Sequence, residues 1–236
     1  MWKLYDTNTD WSQSRNLAKD MPDKLRDLQR LWLIKAVKYN VLPLDDRFAE
    51  RANADIAGRP QLTKGNRQLL FGGMGRLTEG SIVNDKNKSH AVTAEVVVPR
   101  TGAEGVIVAV GGIIGGWSLY AKAGKPIYHY NFYGVNHDTI TGTSEIPPGT
   151  HQIRTEFKYD GGGLAKGGDV TLYIDGQEAG KGRVEMTGPM VFSADETLDI
   201  DDEYGSPVTA NYAKDSKFSG DVARGRHRHR HRQGCH

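Results

Sequence analysis

From residue 66 onward the chain is dominated by short runs in which apolar and polar side chains alternate. Val170, Leu172 and Ile174 alternate with Thr171, Tyr173 and Asp175, the period of two that gives a strand one buried face. Asp175-Gly176 follows and signals a hairpin, because glycine accepts the positive φ of a tight turn. The next strand carries Gly180 and Gly182, marks of a bulge or of a close backbone approach. Upstream, Gln152, Arg154 and Glu156 alternate with Ile153, Thr155 and Phe157, and the Gly161–Gly168 loop connects that strand to the following one. The same pattern predicts strands over Gln68–Phe71, Ser89–Val98, Gly105–Val110, Trp117–Ala121, Ile127–Tyr133, Thr150–Tyr159, Val170–Ile174, Lys181–Val184 and Pro189–Ser193. No repeat of 20 to 50 residues recurs, which argues against a propeller or solenoid.

Residues 1–47 read differently. Trp2, Leu4 and Tyr5-Asp6 suggest a short strand ending in a turn. Asp20 can cap a helix, Pro22 suits its first turn, and Leu25, Leu28, Leu31, Trp32 and Tyr39 form an apolar stripe before Asn40 and Pro43 end it. One strand and one amphipathic helix cannot bury themselves, so the stripe requires a partner surface. The domain reading is therefore a helix-containing segment at 1–47, a polar linker at 48–65, a sandwich domain at 66–222 and a disordered Arg/His tail at 223–236. The fold class is mainly β: an antiparallel, concanavalin-like (jelly-roll) β-sandwich preceded by a short strand and one amphipathic helix.

Composition sharpens this. The chain has 236 residues, enough for one substantial core, and its 29 glycines suit a fold with many turns. The formal charge of +2 conceals an imbalance. Five of the 31 basic residues lie in Arg224–His236, so residues 1–223 set 26 basic against 29 acidic side chains. That body carries no nucleic-acid footprint. The single cysteine, Cys235, lies in the tail, so no disulfide is available to the domain. MWKLYDTNTD lacks the basic start and apolar run of a signal peptide, and Val106–Ala121 falls short of the ~20 residues that cross a bilayer, so no membrane partner is expected.

The ordered blocks RNLAKDMPDKLRDLQRLWLIKAVKYNVLPLDDR, QLLFGGMGRLTEGSIVN, KNKSHAVTAEVVVP, GGWSLYAKAGKP, YNFYG, GTHQIRTEFKYDGGG, GGDVTLYIDG and VFSADET resemble the C-terminal region of large bacterial arylsulfatases, over roughly residues 1–222. The resemblance implies that residues 1–47 are the last strand and helix of an α/β sulfatase domain, and that the sandwich is an accessory to it. It further implies hydrolysis of sulfuric esters by the parent enzyme, with a formylglycine nucleophile and a calcium ion, and a sulfated aryl or glycan substrate. The sequence departs from that family in two respects. No Cys/Ser-x-Pro-x-Arg motif, the source of the nucleophile, occurs in it. The metal- and sulfate-handling residues lie before this segment in the family, so no catalytic, cofactor-binding or metal-binding residue is carried over and no cofactor is expected here. The chain is expected to be inactive alone, with the missing N-terminal sulfatase domain as its partner; the alternative is a free-standing carbohydrate-binding or interaction module. After FSGDV the family continues into a closing strand, whereas this chain reads ARGRHRHRHRQGCH, which suggests that the last strand has been replaced.

Four constellations have a chemical reading beside a bland one. Asp195, Glu196, Asp199, Asp201, Asp202 and Glu203 crowd a loop where calcium could find oxygen ligands, yet Tyr204 stands where an EF-hand loop needs Gly; a solvated acidic turn is the default. Tyr128, Tyr130 and Phe132 alternate with His129, Asn131 and Tyr133, so one set could stack on a sugar or aryl group, though ordinary core packing is the default reading. Asp45-Asp46-Arg47 could reach a catalytic pocket or form a local ion pair. His227, His229 and His231 could ligate Ni, Cu or Zn as tail residues. The Gly161–Gly168 loop lacks the Gly-Lys-Ser/Thr ending of a phosphate cradle.

Overall fold

The computed structural model describes residues 2–214 and 216–229, with the side chains of 224–229 left aside. The chain divides into two compact units, Met1–Arg47 and Phe48–His236.

In the first unit, helix α1 spans Pro22–Lys38. It starts with Pro22 at the first helical position, where the missing N–H costs nothing, and Met21 rather than Asp20 is the residue before it. Asp23 in the first turn and Lys35 and Lys38 in the last suit the helix dipole. The strand expected at Trp2–Asp6 does not form. Its backbone groups turn inward instead: Leu4 N–H donates to Asn16 Oδ1 (3.0 Å), and Leu4 C=O accepts from Leu17 N–H (2.7 Å). Without a neighbouring strand among residues 2–47, a side-chain acceptor and a turn satisfy those groups better than an open edge could. Trp2 packs edge-on against Trp32, ring centroids 5.6 Å apart.

The second unit is a two-layer antiparallel sandwich. Its strands are β1 (Arg67–Leu70), β2 (His90–Val98), β3 (Gly105–Gly112), β4 (Gly115–Lys122), β5 (Lys125–Phe132), β6 (Asn136–Thr141), β7 (Gly149–Tyr159), β8 (Gly168–Ile174), β9 (Gln177–Val184), β10 (Leu198–Ile200) and β11 (Asp221–His229). One sheet has the order β1-β11-β2-β7-β8-β9, the other β10-β3-β4-β5-β6. Strands distant in sequence lie side by side in both sheets, the crossed connection of a concanavalin-like jelly roll. The core lies between the sheets, where Val92, Ala94 and Val96 of β2, Ile153 and Phe157 of β7, and Val170 and Leu172 of β8 meet Val110, Trp117, Leu119, Tyr128 and Tyr130. Each such side chain contributes about 1.5–3 kcal/mol on full burial.

Asp175-Gly176 forms the predicted two-residue turn, both residues at positive φ (50° and 79°). Gly180 and Gly182 are explained as well. The ladder shifts register opposite Leu172/Tyr173. A Cβ on Gly182 would stand 2.4 Å from Ile140 Cγ1 of the facing sheet.

Four expectations need correction. Pro189–Ser193 is not a strand; the nearby ladder position is taken by β10, which pairs with β3. β6 was not anticipated, because Asn136, Asp138 and Thr139 mask its alternation. Residues 48–65 are not a bare linker. They hold a 3₁₀ turn (Ala49–Ala52) and a short helix α2 (Ala54–Ala57), and Asn53 Nδ2 donates to Pro189 C=O (2.8 Å) within the sandwich unit. The fourth correction is the largest. Residues 223–229 are not a disordered tail, because β11 runs from Asp221 to His229 between β1 and β2. It pairs Val222 with Val96 and His229 with His90, with a bulge between Val222 and Arg224. Arg228 of the same strand pairs with Arg67 of β1. The reason is that a ladder is made by backbone N–H and C=O groups, which Arg and His carry like any other residue. Arg230, His231, Cys235 and the rest of that run lie outside the described residues.

Candidate functional site

The acidic loop is a network of backbone caps. Asp199 Oδ1 accepts from Arg76 N–H (2.6 Å) and Asp199 Oδ2 from Tyr204 N–H (3.3 Å). Glu196 Oε1 accepts from Ser206 Oγ (2.5 Å), and Asp201 lies 3.8 Å from Lys217 Nζ. Burial raises the Asp201 pKa. These carboxylates point at separate partners, and among the described residues no three His, Cys, Asp or Glu side chains converge on a metal position. The Asp45-Arg47 motif is a local bidentate ion pair, with Nε–Oδ1 at 2.9 Å and Nη2–Oδ2 at 2.8 Å.

On β5 residues 128–131 are enclosed on both faces. Tyr128 and Tyr130 enter the core, and the Tyr130 hydroxyl accepts from Gly188 N–H (2.8 Å). His129 and Asn131 lie on the opposite face and are buried too. The segment 203–212 covers that face. Asn131 Nδ2 donates to Val208 C=O (3.1 Å), Lys122 Nζ to Asn211 C=O (2.6 Å), and the Tyr120 and Tyr212 rings stand edge to face at 4.9 Å. Residues 128–131 therefore offer no stacking platform, while Phe132 and Tyr133 at the end of this run are half-buried, Tyr133 OH donating to Val191 C=O (3.0 Å).

Two polar groupings lie on this covered face. Glu203 is only 2% exposed, and its Oε1 accepts from Val208 N–H (3.0 Å). Tyr212 stands beside both Glu203 and Ser118, yet Glu203 Oε2, Tyr212 OH and Ser118 Oγ close no well-formed hydrogen bond among the described residues. Burial, reinforced by the negative charges of Asp199 and Glu196, pushes the Glu203 carboxyl up to about 7. At the sheet edge, His129 Nδ1 lies 2.7 Å from Thr139 Oγ1, and His129 Nε2 lies 3.1 Å from His137 Nδ1. Burial, then the neighbouring His137, lowers the His129 pKa to about 4, so its imidazole is neutral at pH 7.

A third grouping was not anticipated from the sequence. Lys86 Nζ contacts Glu79 Oε2 and Asp85 Oδ1, each at 2.9 Å, and sits 3.7 Å above the Phe192 ring. Asp85 Oδ2 accepts from Trp117 Nε1 (2.7 Å), and Glu79 Oε1 from Phe192 N–H (2.7 Å). Burial opposes the Lys86 charge, but the two carboxylates outweigh it and hold its pKa above the ordinary value. A cavity of about 120 Å³ opens beside this cluster, lined by Asn53, Arg59, Asn84, Lys86 and Met190 among others. The sequence signal was faint: three charges flanking Ile82-Val83, where a surface loop is the simpler reading.

In the first unit, α1 is apolar nearly all the way round in its second half. Leu31, Leu33, Ile34 and Val37 are 49%, 51%, 64% and 63% exposed, and Leu28 is 40% exposed. No helix among the described residues is long and apolar enough to cross a membrane.

No family model matches the chain, and no curated protein matches it. Among solved structures the chain is similar to domains LG4-5 of the mouse laminin alpha1 chain, at 14% identity and a TM-score of 0.41, over 70% of this chain and 39% of that one. It is also similar to the CBM40 of the Ruminococcus gnavus IT-sialidase bound to alpha2,3 sialyllactose, at 10% identity and a TM-score of 0.45, over 72% and 92% of the two chains. A native heptameric SAP-like pentraxin from Limulus polyphemus gives 16% identity and a TM-score of 0.38, over 67% and 73%. These likenesses are of fold alone.

Proposed function

We propose that this chain is the C-terminal portion of an arylsulfatase-type sulfuric-ester hydrolase. In this reading residues 1–47 complete an α/β catalytic domain, and the sandwich serves that domain as an accessory. The observation that carries it is α1. A helix whose second half is apolar nearly all the way round belongs against the interior of a larger domain, and here five of its large apolar residues stand 40–64% exposed. The ordered sequence blocks that resemble arylsulfatases point to the same partner. The chain itself supplies no Cys/Ser-x-Pro-x-Arg nucleophile motif, so hydrolysis rests with that partner.

The test expresses the chain together with the catalytic domain of a bacterial arylsulfatase as a separate polypeptide. Co-purification is expected, as is loss of the complex on L31E/I34E substitution. The chain alone is expected to release no chromophore from nitrocatechol sulfate above a heat-killed control. Absence of any complex, with specific binding of the lone chain on a glycan array, would instead establish a free-standing carbohydrate-binding module.

A further inference from the structure

We propose that His129 and His137 form a binding site for a late first-row divalent metal ion, Cu(II) or Zn(II), at the β5–β6 edge of the sandwich. The ladder pairs His129 with Thr139 and Asn131 with His137, so the two histidines are diagonal neighbours across adjacent strands on one face. Their facing nitrogens, His129 Nε2 and His137 Nδ1, are 3.1 Å apart. Two imidazoles bound to one metal at about 2.0–2.1 Å place their nitrogens roughly 2.9 Å apart at a square-planar angle and roughly 3.4 Å apart at a tetrahedral one. The observed spacing, that of a hydrogen bond between the rings, lies between these values, so one ion fits once the exposed His137 ring turns its lone pair toward it.

The surroundings accommodate the tautomer that binding requires. Thr139 Oγ1, 2.7 Å from His129 Nδ1, can accept the proton held there. That leaves the Nε2 lone pair directed toward His137, the arrangement by which a hydrogen bond on one ring nitrogen orients a metal-bound imidazole. In this tautomer the proton between the facing nitrogens is carried by His137 Nδ1, and it passes to His137 Nε2 when the ion takes its place. His137 is exposed and gives the ion an entry path, with water completing the coordination. No third His, Cys, Asp or Glu among the described residues joins the pair. The site is therefore one of modest affinity, with Cu(II) bound more tightly than Zn(II).

The C-terminal histidines compete for the same ions, so the test uses the full chain carrying H227Q/H229Q/H231Q/H236Q. CuCl₂ and ZnCl₂ are titrated calorimetrically into this protein and into versions with H137Q or T139V added, each checked for an unchanged circular-dichroism spectrum. One equivalent of Cu(II) is expected to bind the parent. H137Q should weaken it at least ~10-fold, and T139V, which keeps both imidazoles but frees the tautomer, by a smaller factor within the ~10- to 100-fold range of lost orienting partners. In amide spectra, substoichiometric Cu(II) should broaden Thr139 and its β5 neighbours first. Absence of binding in the tail-substituted protein, or equal affinity in H137Q, overturns the proposal.

Discussion

Individual residues already show opposing electrostatic demands. Lys86 is held in the interior by Glu79 and Asp85, its side chain only 5% exposed. Lys86→Met removes the cation and strands two buried carboxylates, so it should destabilise the sandwich by about 3–5 kcal/mol, measured by urea unfolding at pH 7. A neutral effect would mean that the cluster is hydrated and weakly coupled. Glu203 runs the other way. Its folded pKa of about 7 lies above the ordinary 4.5, so the folded state binds the extra proton. The stability this gives is complete below about pH 4.5 and is lost as the pH rises through about 7, a loss on the order of 3 kcal/mol. Glu203→Gln should therefore match the parent near pH 4.5 and exceed it in stability at pH 8, read from unfolding midpoints across that range. His129 has the opposite slope: its folded pKa of about 4 lies below 6.5, so its contribution is complete above 6.5 and lost as the pH falls through 4. With Glu203 neutralised, stability should rise visibly from pH 4.5 to 6.5, a trend the two groups largely cancel in the parent. Parallel profiles for the two proteins would contradict this assignment.

Among the elements, β11 carries the clearest consequence. It supplies the ladder on one side of β2 and the only described partner of β1. Deleting Ala223–His236 should open both and lower stability by at least about 3 kcal/mol, roughly 6–12 °C in melting temperature for a domain of this size. A melting temperature unchanged by the deletion would show that the strand adds nothing. This element also marks where sequence reading failed. Val170, Leu172 and Ile174 announced β8, and Asp175-Gly176 its turn, because their side chains encode the conformation locally. The Arg-His run encodes no buried face, and its strand arises from a backbone slot between two strands more than a hundred residues away. The Lys86 cluster and the His129–His137 pair were missed for the same reason, since each joins residues that only the sheet register or a loop crossing brings together. Asp45-Arg47 was legible as a local ion pair because its partners stand two residues apart, whereas the acidic loop was legible only as a run of carboxylates, since Asp199 finds Arg76 N–H across 123 residues.

For the whole molecule, the long-range pairing of β2 has a consequence in time. Val97 pairs with Asp221, 124 residues further along the chain. At a synthesis rate of about 5–20 residues per second, those residues take roughly 6–25 s to appear. Until Gly149–Tyr159 is made β2 has neither of its described neighbours, and from then until residue 221 it has β7 on one side only, with Ala94 and Val96 on its core face. A nascent chain of this protein thus passes through a stage with an unpaired, valine-rich edge, the state in which neighbouring polypeptides on one messenger can pair with each other. The order in which its strands are written makes the yield of folded protein depend on how fast the ribosome reaches residue 221 and on what shields β2 until then.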